Sequence, residues 1–516
     1  MESKIKTCQE AMSAIPDGAH IATTSFGFGG TPNQLMYGLS EYYKEHKHPK
    51  SITFSTTAGI GTNSPDSGVD LFLHPGMLKR FYGSHILGSK NAGEAALNND
   101  YEFYFVPQGI IGELYQDSAR EQSGVFTKVG LNTFIDPRQT GGAMNSVTTE
   151  AISEIVTLDG EEWIRYKPWH IDVAFIKATF ADENGNISIQ QEPNHLEILD
   201  LATAAHNNGG LVIVQVKEIV ESHSLSPKEV VIPKALVDYV VVAEQKYHFQ
   251  MVNDYYQPML SNEVRVDLSE HDQFEFSPLK VMARRIALEI NQNDIINVGY
   301  GLASKVSNIF SQAGVIDDIH LSTDLGTIGG LPTSDLRYGT SLNADAVLRT
   351  RDMFSLYVGG GLDLAILGFG QFDQVGHMNT TKLGNRLIGP GGMMDIAYGA
   401  KKVIFVGTFT VGVELSIKDN QLHIIQEGKP IKFVKQVEFV TYNAQQELKR
   451  GKEIKIITER AIFDILPGIG LQLVEVAPGV NIQKDILELL PYDVSVSDHV
   501  KVMDPKLFNE EWTLNL

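Results

Sequence analysis

Apolar residues recur along this chain with two different periods, and the two alternate. Near-continuous apolar runs, rich in β-branched residues, occupy residues 51–56, 173–179, 211–216 and 239–242, then 294–299, 319–323, 364–367 and 403–408. Between them, apolar positions return every three or four residues at 31–45, 194–207, 278–290 and 303–313. The runs predict strands buried on both faces, and the longer period predicts amphipathic helices that cover them. Their alternation predicts an α/β fold with mostly parallel sheets.

The pattern also repeats. Each half opens with an amphipathic helix, a short turn (Pro16-Asp17-Gly18; Asn293-Asp294), a strand, a Gly-x-Gly turn and a second helix. The glycine turns are Phe26-Gly27-Phe28-Gly29-Gly30-Thr31-Pro32 and Asn297-Val298-Gly299-Tyr300-Gly301-Leu302-Ala303. This self-similarity predicts two related α/β domains, 1–245 and 277–516, joined by a less regular crossover over 246–276. A cleft between two such domains is where a site is expected.

At 516 residues the chain exceeds what one hydrophobic core supports. Its 43% hydrophobic and 20% charged content is that of an ordinary globular enzyme. A net charge of -21 argues against nucleic-acid binding, but a locally basic cleft could still take a small anion. One cysteine, Cys8, precludes an internal disulfide and has no histidine beside it, so it is read as inert. No run approaches the roughly 18 apolar residues of a membrane span, and no leader precedes the first helix; cytoplasmic residence is expected.

The chemistry concentrates at Leu321-Ser322-Thr323-Asp324-Leu325-Gly326-Thr327-Ile328-Gly329-Gly330-Leu331-Pro332. Aspartate before glycine is common turn chemistry. Here, however, Asp324 ends a strand and faces a loop that can admit a ligand. Gly27, Gly29 and Gly30 precede a helix, a place that attracts anions. They do not fit Gly-x-Gly-x-x-Gly and no P-loop is present, so a nicotinamide cofactor is not expected. Further glycines at Gly299, Gly301, Gly329, Gly330, Gly359, Gly360, Gly361, Gly391 and Gly392 suggest backbone brought close to a ligand. In Val106-Pro107-Gln108-Gly109 a side-chain amide ends another strand, and a neutral donor of that kind can stabilise an oxyanion. The 15 histidines form no His-Glu-x-x-His or Cys/His pattern, so no metal is expected.

These motifs, taken in order, resemble the family I CoA-transferases. They are closest to the fused single-chain acetate/propionate (short-chain acyl) CoA-transferases related to succinyl-CoA:3-oxoacid CoA-transferase. The resemblance runs from about Gly18 to Asp504. It rests on Pro107-Gln108-Gly109, Asp136-Pro137-Arg138-Gln139 and Ala181-Asp182-Glu183-Asn184-Gly185-Asn186. It continues through Ile328-Gly329-Gly330-Leu331-Pro332, Gly359-Gly360-Gly361-Leu362-Asp363, Gly389-Pro390-Gly391-Gly392 and Thr458-Glu459-Arg460-Ala461.

The resemblance implies two similar open α/β domains with the active site between them. It implies ping-pong transfer of CoA from a short-chain acyl-CoA to a small carboxylate such as acetate, through acyl-anhydride and enzyme-CoA thioester intermediates. No cofactor beyond CoA as substrate and no metal is implied, and a homodimer or homotetramer is expected. Carried over by motif, Asp324 is the nucleophile, Gln108 an oxyanion donor, and Gly391 and Gly392 supply backbone N–H donors. The glycine turns, with Arg138, Lys382, Arg386 and Lys401 as flanking cations, would bind CoA. One departure stands out: the family pattern at the nucleophile is Val-Glu-x-Gly, and here it is Thr323-Asp324-Leu325-Gly326, one methylene shorter. Ser334-Asp335 also replaces a smaller pair beside the substrate. The shortened nucleophile leaves two alternatives, an acyl-CoA hydrolase or a protein that binds CoA esters with little turnover.

Overall fold

The computed structural model describes residues 3–514, and each of the eight apolar runs forms a sheet strand in it. Each of the four periodic segments contains a helix. The chain divides into two compact units. The first runs to Val264 and takes in Val347–Met353 and Gly384–Gly392; the second holds the remainder.

The first unit is built on seven parallel strands. These are β1 (His20–Thr23), β2 (Ile52–Thr56), β3 (Leu78–Gly83), β4 (Glu102–Phe105), β5 (Val173–Lys177), β6 (Leu211–Val216) and β7 (Tyr239–Val242), in the order β7-β6-β5-β1-β2-β3-β4. Every residue of β1 and β5 is buried, as expected of central strands covered on both faces. Helices α1 (Asn33–His46), α2 (Gln108–Ala119) and α3 (Ile198–Asn207) supply cover, with α2 and α3 packed together. The sheet grows one way from β1 to β4 and the other way from β5 to β7. The β1/β5 step is therefore a topological switch, where open α/β sheets bind ligands at the carboxyl ends of their strands.

The second unit opens with α4 (Pro278–Ala287), which Ser277 caps by accepting the Lys280 N–H and which proline starts. Its sheet core contains β8 (Ile295–Val298), β9 (His320–Ser322), β10 (Leu364–Gly368), β11 (Lys402–Val406) and β12 (Glu453–Ile457), with α5 (Leu302–Gln312) between β8 and β9. These five strands are parallel in the order β9-β8-β10-β11-β12. That is the connection order of β2-β1-β5-β6-β7, so the repeat visible in the sequence is a repeat of topology. Beyond β12 the second sheet continues through β13 (Ala461–Leu466), antiparallel to it, β14 (Gly470–Val476), antiparallel to β13, and β15 (Ser495–Val502), parallel to β14. Among the described residues, no helix is long and apolar enough to cross a membrane, and no group of three His, Cys, Asp or Glu could hold a metal ion.

Candidate active site

Strand β9 ends at Ser322, and two residues later Asp324 stands at the carboxyl edge of the second sheet, 8% exposed. The turn that carries it is tied at several points. The Thr323 N–H donates to the Thr327 carbonyl (3.1 Å) and the Gly326 N–H to the Thr323 carbonyl (3.1 Å). Hydroxyls of Thr323, Thr327 and Ser341 form a buried chain with 2.8 Å steps. Gly330 has φ +65°, and a Cβ there would lie 2.1 Å from the Leu342 carbonyl oxygen, so glycine is required by the fold of this loop. Beneath the turn, the Tyr357 hydroxyl donates to Ser322 Oγ (2.8 Å) and accepts from Asn297 Nδ2 (3.2 Å).

Tyr338 reaches the carboxylate itself. Its hydroxyl lies 3.3 Å from Asp324 Oδ1 and 3.1 Å from the Val298 carbonyl at the end of β8. Burial, and after it the neighbouring Asp324 charge, holds the Tyr338 phenol well above its ordinary pKa, so it stays a neutral donor. Its one proton is shared between two acceptors, which anchors Asp324 to the tip of the neighbouring strand. Nothing in the sequence marks Tyr338: it is an aromatic residue in an irregular loop, 14 positions after the residue it serves.

At the corresponding edge of the first unit the groups around Gln108 are neutral, and the buried Lys177 at the end of β5 is ion-paired with Glu192. Gln108 opens α2 directly after β4 and is 3% exposed, and no other described residue hydrogen-bonds its side-chain amide. Its backbone N–H donates to the Gly391 carbonyl (3.3 Å), and the Gly391 N–H donates to the Ser84 carbonyl (2.9 Å). The 389–392 loop is therefore sewn onto the ends of β3 and β4. Beside it, His85 accepts the Gly59 N–H at Nε2 (2.8 Å), and burial drops its pKa to about 4. A carboxyl one turn along α2 is neutral as well. Glu197, 1% exposed, lies 3.4 Å from where a Cβ on Gly112 would be. Burial, reinforced by the Asp200 charge, lifts its pKa to about 8.

Comparison with known proteins decides the family. Residues 5–243 match the coenzyme A transferase model. Over 516 residues the chain is 38% identical to caffeate CoA-transferase of Acetobacterium woodii, covering 99% of this chain and 98% of that one. It is 35% identical to acetate CoA-transferase YdiF of Escherichia coli strain K12, covering 98% and 95%. The chain belongs to the coenzyme A transferase family. The crystal structure of acyl-CoA transferase YdiF from E. coli O157:H7, in a thioester complex with CoA, superposes with a TM-score of 0.92 at 33% identity, covering 98% of this chain and 96% of that one. Human mitochondrial succinyl-CoA:3-ketoacid coenzyme A transferase 2 is a more distant relative, 23% identical over 517 residues, or 96% of this chain and 90% of that one.

As a CoA-transferase the protein moves CoA between an acyl-CoA and a carboxylate, and only some of the second-unit residues named from the sequence share the Asp324 edge. Gly359, Gly360 and Gly361 precede β10, and Lys401 precedes β11. All four therefore stand at the amino edge of the sheet, opposite Asp324, and Lys401 is paired there with Asp363 (2.7 Å). The Gly391 N–H donates to the Ser84 carbonyl, and among the described residues no hydrogen bond takes the Gly392 N–H. Arg138 is engaged by Asp136 (2.7 Å) and Glu162 (2.9 Å), and Lys382 by Glu438 (2.7 Å). Arg386 is exposed and begins a two-residue strand in the Gly384–Gly392 segment of the first unit.

Gly299 and Gly301 follow β8 at the Asp324 edge, and Gly329 and Gly330 shape the Asp324 loop. Gly27, Gly29 and Gly30 follow β1; Gly27 and Gly30 hold φ +70° and +72°, which favours glycine, and Gly29 lies against Phe26 and Met251. Two clefts of about 250–260 Å³ flank this turn, below the usual size of a site for a ligand as large as CoA.

Proposed function

We propose that the protein transfers CoA from a short-chain acyl-CoA to a carboxylate by ping-pong covalent catalysis, with Asp324 as the nucleophile. The observation that carries this is a carboxylate at the carboxyl edge of a parallel sheet, on a turn braced on both sides and held by Tyr338. An Asp324 oxygen attacks the thioester carbon, the C–S bond breaks, and CoA leaves as thiolate from an acyl-aspartyl anhydride. The thiolate then attacks the Asp324 carbonyl of that anhydride, frees the acyl group as its carboxylate and leaves an aspartyl-CoA thioester. An incoming carboxylate reverses both steps. No proton is gained or lost overall, so a nucleophile and oxyanion donors suffice.

The donors are assigned to the Gln108 amide and the Gly392 N–H, both neutral groups suited to charge that develops only in the tetrahedral states. Tyr338 directs the shorter aspartate, a requirement because an error of about 1 Å in a reacting group costs on the order of 10²-fold. The relatives' names include acetate and caffeate. Asp335, in the loop with Tyr338, does not repel a carboxylate as a bare charge would, since Lys305 pairs with it (3.1 Å). The test is exchange of labelled acetate into acetyl-CoA. Parallel initial-rate lines for the native protein and no exchange by Asp324→Ala are expected; full exchange by that variant would refute the assignment.

A further inference from the structure

The carboxyl edge of the second sheet carries another charged group. Lys432 lies on a segment running past the ends of β10 and β11, fixed on both sides: its N–H donates to the Phe409 carbonyl (3.2 Å) and its carbonyl accepts the Phe372 N–H (2.9 Å). The ammonium stands 5.0 Å from the centre of the Phe369 ring, and a Cβ on Gly407 would come within 3.1 Å of it. Phe369 follows β10 and Gly407 follows β11, so Nζ shares the edge on which Asp324 stands.

The side chain is half-buried, yet no hydrogen bond or ion pair with another described residue reaches Nζ. Glu459, the carboxylate that acts on it electrostatically, already uses Oε1 on Arg460 (2.6 Å) and Oε2 on the Phe409 N–H (2.8 Å). Burial accordingly pulls the lysine below its ordinary pKa, with Glu459 only partly opposing. A largely desolvated ammonium without a counter-ion is costly, and an aromatic face returns only part of that cost. The expected complement is an anion from outside the chain.

Strands β10 and β11 lie two and three places from β9, so Nζ is about 10–14 Å from Asp324 at strand spacings of about 4.8 Å. A carboxylate reacting at Asp324 cannot also reach it. We propose that Lys432 binds a second anionic oxygen group of the substrate, remote from the reacting carbon. Two sources share that chemistry: the phosphates of CoA and the far carboxylate of a dicarboxylic acyl group. The assignment rests on Asp324 being the nucleophile.

The test uses the full chain as native protein, Lys432→Gln and Lys432→Arg, with CoA and pantetheine titrated by calorimetry. KM is also measured for succinate and acetate as acceptors. Lys432→Gln is expected to lose about ten- to a hundredfold, the range of one charge-assisted hydrogen bond, in one arm only. A loss for CoA but not pantetheine identifies the phosphates; a loss for succinate but not acetate identifies the far carboxylate. Lys432→Arg should keep most of the affinity, and the melting temperature of Lys432→Gln should not fall. Native-like behaviour of Lys432→Gln in both arms, or an equal loss in all four ligands with a lower melting temperature, overturns the proposal while leaving Asp324 standing. Failure of the native protein to bind CoA or turn over would instead overturn the proposed function and this inference with it.

Discussion

The second strand of each unit runs out at the same place in the same topology, and the two ends differ in kind. β2 gives way to Thr56-Thr57-Ala58-Gly59, where the Thr56 hydroxyl bonds Ser25 (2.8 Å) and the Ala58 carbonyl (2.9 Å). β9 gives way to Thr323-Asp324, a carboxylate held by a tyrosine. Around Gln108 the first unit's edge carries serine and threonine hydroxyls, an uncharged His85, the Gln108 amide and a Glu197 whose pKa burial raises, while at the end of β5 the buried Lys177 is ion-paired with Glu192. The second carries charge at its edge, Asp324 and Lys432. One scaffold has been used twice, and the proposed division of chemistry follows the electrostatics. Oxyanion donors work best as fixed neutral dipoles, and a nucleophile must be an anion.

The comparison breaks most visibly at the charged end. Asp324→Asn keeps the shape and removes the nucleophile, and exchange should fall by at least about 10³-fold, as when a covalent nucleophile is lost elsewhere. Gln108→Ala should lower kcat by about 10²–10³-fold while still allowing slow adduct formation, because the nucleophile stays. Single-turnover kinetics would separate the two. Tyr338→Phe should cost about tenfold in the rate of adduct formation, with acyl-CoA affinity little changed, since only the aim of Asp324 is loosened. A change in KM alone would count against that role.

The smallest effect on catalysis belongs to Glu197→Gln, which should stay within about twofold of native activity and act on stability instead. The folded carboxyl titrates at about 8 against an ordinary 4.5. Between those values the folded chain holds a proton the unfolded chain has released. Native stability should therefore decline as pH rises from about 4.5 to about 8, by something on the order of a few kcal/mol, and level off above. Glu197→Gln should flatten that slope in melting curves taken across the range.

Much of this was legible beforehand because strands buried on both faces write themselves as unbroken apolar runs, and Asp324 and Gln108 each terminate one. The mixed extension β13–β15 was not, since polar residues interrupt the apolar positions of its strands. Nor does a glycine cluster reveal which end of a strand it occupies: Gly359, Gly360 and Gly361 read like Gly329 and Gly330, yet they lie at the opposite edge from Asp324. Whether a backbone N–H is free is also invisible in sequence, as Gly391 and Gly392 show. Tyr338 and Lys432 reach the edge through loops whose course only the packed structure defines.

The most direct test of the central claim is intact-protein mass after mixing with acetyl-CoA, followed by peptide mapping. A CoA-sized increment that hydroxylamine removes, located at Asp324, is the predicted result. Bound CoA ester with no covalent increment, or an increment located at another residue, would contradict it.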